Sequence, residues 1–139
     1  MSTTVEASAA DLAVVVTFPP AQSQIVATAL DYAGSGALDQ TGIAVGSAGA
    51  PMVSTSGATI APTETVLAVV NVNLPNEVYS SITPGAPYID RVEENDTAFL
   101  DQAGEGAEMG ATIAGVQQCT WTTEPDPTTD WDAVIATYR

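Results

Sequence analysis

The chain has 139 residues, 17 acidic side chains and two arginines, Arg91 and Arg139, with no lysine and no histidine, for a net charge of −15. That balance excludes binding to a phosphate backbone, which needs a basic patch, and it opposes an anionic membrane surface. It also removes histidine acid–base chemistry and lysine Schiff-base chemistry. Hydrophobic residues make up 45% of the chain, mostly Ala and Val, with frequent Gly and Pro. This is too apolar for a disordered tail and long enough for one domain with a real core. Small and β-branched residues between breakers favour short strands.

In chain order, residues 1–10 are small and polar and read as a flexible arm. They hold no basic stretch followed by an apolar run, so the sequence reads as lacking a secretion signal. Asp11 to Phe18 alternates as a strand and stops at Pro19-Pro20. Gln24 to Ala33 is the next predicted strand, with a helix as the competing reading. Its β-branched content and the stop at Gly34-Ser35-Gly36 favour the strand. A short run follows at Gly42 to Val45, then a Gly, Ser, Ala and Pro-rich connection over 46–63 with an edge strand expected around Ala58 to Ile60.

Thr65 to Leu74 is the most apolar segment, with Val66, Ala68, Val70, Val72 and Leu74 on one face. Its pattern predicts a central strand, buried on both faces at its start. Residues 76–87 read as loop, Tyr88 to Val92 as a short strand, and Glu93 to Gly106 as an acidic, Gly-rich loop. Glu108 to Thr122 is one long β-prone run, open to a break at Gly115. The chain closes with two runs, one carrying Trp121 and one carrying Trp131, around a turn at Pro125, Asp126, Pro127 and Asp130. They read as an antiparallel pair. Seven or eight short strands with this turn spacing predict an all-β antiparallel sandwich, of jelly-roll or Ig-like Greek-key type, over residues 11–139.

Few side chains offer chemistry. Cys119 is the only cysteine, so no intrachain disulfide forms, and it reads as a small buried hydrophobe. Glu93, Glu94, Asp96, Asp101, Glu105 and Glu108 could pair as catalytic carboxylates, but solvated acids are the commoner outcome in such a loop, and no enzyme is expected. Asp96 and Asp101 are the candidate ligands for Ca²⁺ or another cation, although the loop lacks the alternating ligands of an EF-hand. Asn95-Asp96-Thr97 fits a glycosylation triplet and marks an exposed loop. Trp121, Trp131, Tyr79, Tyr88 and Tyr138 could form a sugar-stacking platform. The two tryptophans would more often anchor the core or a subunit contact.

Three stretches resemble β-sandwich domains of bacterial surface proteins and phage virion proteins. They are Ile25 to Gly34 with Leu38-Asp39 after it, Thr65 to Val72, and Thr120-Trp121-Thr122 followed by Asp130 to Arg139. The resemblance spans about residues 10–139 and carries fold rather than chemistry. The chain departs from the pattern by lacking the usual strands before Asp11. The resemblance implies a sandwich working as a virion structural protein, in capsid decoration, a turret or a tail, within a symmetric homo-oligomer. The alternative is a carbohydrate- or cell-surface-binding module, extracellular rather than in the virion.

Five acids lie in residues 1–70 and twelve beyond them. Such a surface suits a soluble acidic face or a halophilic host, because salt screens the self-repulsion. Salt is therefore expected to stabilise the fold as the Debye length shrinks from about 10 Å at 0.1 M to about 3 Å at 1 M. The melting temperature should rise from dilute to molar KCl. A flat or falling melting temperature would contradict the self-repulsion account.

Overall fold

The computed structural model describes residues 2–7, 12–17, 36–47, 49–73, 81–95, 102–124 and 130–139. Its strands are β1 (Ser2–Ala7), β2 (Leu12–Thr17), β3 (Leu38–Gly46), β4 (Met52–Ser54), β5 (Glu64–Asn73), β6 (Ser81–Pro84), β7 (Ile89–Asn95), β8 (Gln102–Ala111), β9 (Gln118–Glu124) and β10 (Trp131–Tyr138). All pairings are antiparallel. Strands β1 and β2 pair with each other, so Ser2–Ala7, within the expected arm, is a strand, and it precedes Asp11.

The other eight strands form a five-stranded sheet, ordered β3-β10-β5-β8-β7, and a three-stranded sheet, ordered β4-β9-β6. The two sheets pack on one another. Val66, Ala68, Val70 and Val72 of β5 and Ala133 and Ile135 of β10 share one buried cluster with Val53 of β4, Ile82 of β6 and Cys119 and Trp121 of β9. Alternation puts these residues inside. Along β5 every second residue from Glu64 to Val72 is buried, and along β9 the buried row is Cys119, Trp121 and Thr123. As expected, β5 is the middle strand of its sheet. Its second face, with Leu67 and Val69, is only half-buried, so the sheet is covered on one side.

The pairing is nested. Strand β3 lies against β10, β4 against β9 and β5 against β8, like two arms of one long hairpin whose tip is the β6–β7 link. As the arms roll up, β10 also meets β5 and β9 also meets β6. Every link from β3 to β10 except β7–β8 crosses from one sheet to the other.

Several expectations are corrected. The closing runs are not a hairpin, because β9 and β10 belong to different sheets. Each carries a buried row that needs the opposite sheet as its cover, and a hairpin would have put both rows in one layer. Gly104, Glu105 and Gly106 are not loop but the middle of β8, held between β5 and β7. Strand β8 has no β-branched residue, so its pairing overrides a poor local propensity. The run from Glu108 is broken around Gly115 as expected, with β8 ending at Ala111 and β9 starting at Gln118. The strand in the 46–63 connection is Met52–Ser54, not residues 58–60, and Ser81–Pro84 is a strand within the expected loop. The predicted strand at 24–33, Tyr79, Asp96, Asp101 and the turn at 125–127 lie outside the described residues.

Midway along β3, where it passes the end of β4, the two backbones nearly touch. A Cβ on Gly42 would lie 1.9 Å from the Ser54 carbonyl oxygen. Gly42→Ala is therefore expected to cost about 1–3 kcal/mol. Gly110→Ala, with nothing within 4 Å of its Cβ position, should lie between neutral and about 1 kcal/mol stabilising. Urea melts of both variants test the contrast, and equal midpoints would refute it.

Candidate functional site

Two features stand out from an otherwise ordinary sandwich: a polar cluster in the core and a pair of loops zipped together at one end. The cluster starts with Glu105, which is 0% exposed on the inner face of β8, between the buried Ala103 and Ala107. Trp121 of β9, 1% exposed, donates its indole N–H to Glu105 Oε2 and so ties the two sheets together. Cys119, two residues back on the same face, is also buried. Burial pushes its thiol from 9.0 up to about 12, and the nearby Glu105 carboxylate adds to the shift. Tyr88 is buried as well, and burial raises its phenol above the usual range, with Cys119 contributing. Both groups stay protonated at neutral pH, so the cluster holds neither a thiolate nucleophile nor a phenolate base.

The loops are residues 55–63, between β4 and β5, and 112–117, between β8 and β9. Thr55 N–H donates to the Gln117 carbonyl at 2.9 Å, and Gln117 N–H donates back to Thr55 Oγ1 at 3.0 Å. Thr59 N–H donates to the Gly115 carbonyl at 2.9 Å, and Gly115 N–H donates to Thr59 Oγ1 at 3.1 Å. The Gln117 side-chain amide donates to the Ile113 and Gly115 carbonyls at 3.0 and 3.1 Å. Gly115 has φ +155°, a conformation that side chains rarely adopt. The zipped loops thus bond to themselves and present Ile60, Ile113 and Val116 outward, 69%, 75% and 61% exposed.

Among the described residues the zipped-loop end is sparse in charge rather than free of it, with Asp39, Glu64 and Arg139 beside the loops. Residues 40–63 and 109–123 hold no charged side chain, and the zipped loops lie within these stretches. The register places the ends of β7 and β9, with Glu93, Glu94 and Glu124, at the opposite end with Asp130 and Asp132. Both arginines lie towards the zipped-loop end. Arg139 Nε sits 3.6 Å from Asp39 Oδ1, whose other oxygen accepts from Ile60 N–H at 3.0 Å. Arg91 Nε sits 2.7 Å from Glu108 Oε2.

The aromatic residues singled out in the sequence do not converge on one surface. Trp121 and Tyr88 are in the core. Trp131 is half-buried and packed over Gly46, where a Cβ would lie 2.4 Å from the indole. Tyr138 is half-buried on β10. Of the acidic candidates, Glu105 is buried and Glu108 pairs with Arg91. Among the described residues no three His, Cys, Asp or Glu side chains are grouped to hold a metal ion. The sequence missed two things: Glu105 as a core residue, and the loops as a site. The one legible signal for the loops was the pair of charge-free stretches in an acidic chain.

Comparison with protein-family models, with curated proteins and with solved structures finds no match.

Raising the Cys119 pKa has a consequence for stability. Between pH 9 and about 12 the unfolded chain releases the thiol proton while the folded chain keeps it. Stability is therefore full below the unfolded value and falls as pH rises through this window. Urea melts should show that decline, and Cys119→Ala should make it shallower. Iodoacetamide should leave folded Cys119 unlabelled at pH 8 and label it in urea. Stoichiometric labelling of the folded protein would contradict the buried assignment.

Proposed function

We propose that this chain is a non-enzymatic structural protein of a virus particle. It would be a capsid-decorating, turret or tail component of a tailed virus with a halophilic host, and would work as symmetric copies in the virion. The observation that carries the reading is the nested pairing of β3 with β10, β4 with β9 and β5 with β8. The nested pairing supports the jelly-roll form of the expected sandwich over the Ig-like one, and jelly rolls recur in viral capsid and lectin domains. The lack of histidine and lysine supports a structural role, and the acidic end supports solubility at high salt. The resemblance to phage virion domains points the same way.

The carbohydrate-binding alternative shares the β-sandwich but loses most of its platform, since Trp121 and Tyr88 are buried. The half-buried Trp131 and Tyr138 are what remain for it among the described residues. Purified native particles should contain this chain at a fixed stoichiometry, measured by quantitative mass spectrometry and located by reconstruction. If particles lack the chain, and if glycan-array binding is lost in a Trp131→Ala variant with an unchanged melt, the binding-module reading replaces this one.

A further inference from the structure

We propose that the zipped-loop end of the sandwich, whose two loops carry no charged side chain, is a homotypic interface, where two copies of this chain meet end to end about a two-fold axis. The proposal rests on the assembly reading above and names the surface that would do the work. Three observations carry it. First, Ile60, Ile113 and Val116 project from loops whose polar groups bond to one another. The contact is rigid before binding, so little order is lost when it forms. Burying these side chains strands few donors or acceptors in the loops.

Second, the electric field leaves a copy few ways to approach. With a net charge of −15, two copies repel wherever acids face acids, and Glu124, Asp130 and Asp132 crowd the opposite end. The largely exposed Ile43 and Val45 form another apolar group, on the outer face of β3. The register sets Val45 directly opposite Asp132, so contact there would bring carboxylates together.

Third, both arginines, with side chains 45% and 44% exposed, lie towards the zipped-loop end beside Glu108 and Asp39. Each copy thus carries both signs of charge beside an apolar centre, a rim that a two-fold contact can make self-complementary. A cationic partner would be drawn to the acidic end instead. The zipped-loop end suits a second copy.

Sedimentation velocity of the full chain, in dilute and in molar KCl, tests this. The wild type should form dimers, more tightly in molar salt. Ile113→Glu, which puts two carboxylates into the contact, should raise Kd about 10- to 100-fold. Arg139→Gln should raise it less, by about 3- to 10-fold, with the larger effect in dilute salt. Val45→Glu should leave it unchanged. Melting curves identify any variant that has lost its fold, and the equally exposed Val116→Glu then replaces Ile113→Glu. A monomer under all conditions overturns the proposal. So does a dimer that survives Ile113→Glu or is lost in Val45→Glu. The two readings fail separately: a monomer that is still found in particles sinks only this interface, and a dimer absent from particles sinks only the virion role.

Discussion

A carboxyl group at the centre of an apolar sandwich has to be held by something, and here the indole of Trp121 holds it. The contact joins Glu105 of the five-stranded sheet to β9 of the three-stranded sheet. Most of the surrounding core is Val and Ala, whose burial is favourable but non-directional. A typical hydrogen bond contributes only about 0.5–1.5 kcal/mol net, yet it has a direction. A shift of one sheet over the other by a residue would leave Glu105 buried without its indole partner. The poor β-propensity of β8 is tolerated because β5 and β7 pair it on both sides.

The same architecture sorts the charge. Because the strands run antiparallel and the links cross between sheets, acids far apart in sequence collect where β7 and β9 end and β10 begins. The two uncharged loops, residues 55–63 and 112–117, meet at the other end and bond to each other through Thr55, Thr59 and Gln117. A chain that repels its own kind over most of its surface thereby carries one rigid, apolar-tipped end. That asymmetry suits a protein that shows acids to solvent and packs through a neutral contact. It ties the fold to the proposed role more directly than any single residue does.

How much was legible follows from how local each signal is. The alternation in Thr65 to Val72 is a property of the segment itself, and it marked both the strand and its buried face. The acidic, Gly-rich loop reading of residues 93–106 was equally local but wrong for Glu93 to Asn95 and for Gln102 to Gly106, because strand pairing decided their conformation. Trp121 as a core anchor was a reading the sequence offered. That a glutamate would meet it was not visible, since the two lie 16 residues apart in a chain whose acids are mostly surface residues. The closing runs were both strands, as their alternation indicated, but their shared hairpin was an assumption about a turn.

The sequence by itself determined the all-β class, the acidic field, the absence of histidine and lysine chemistry and the buried rows of the most regular strands. These depend on composition and on a period of two, which any stretch of chain carries within itself. Tertiary structure alone decided which strands share a sheet, that Glu105 sits in the core, and that residues 55–63 and 112–117 form one surface. Those outcomes come from ladder pairing and burial between segments distant along the chain, where many registers satisfy the local pattern and only packing of the two sheets selects one.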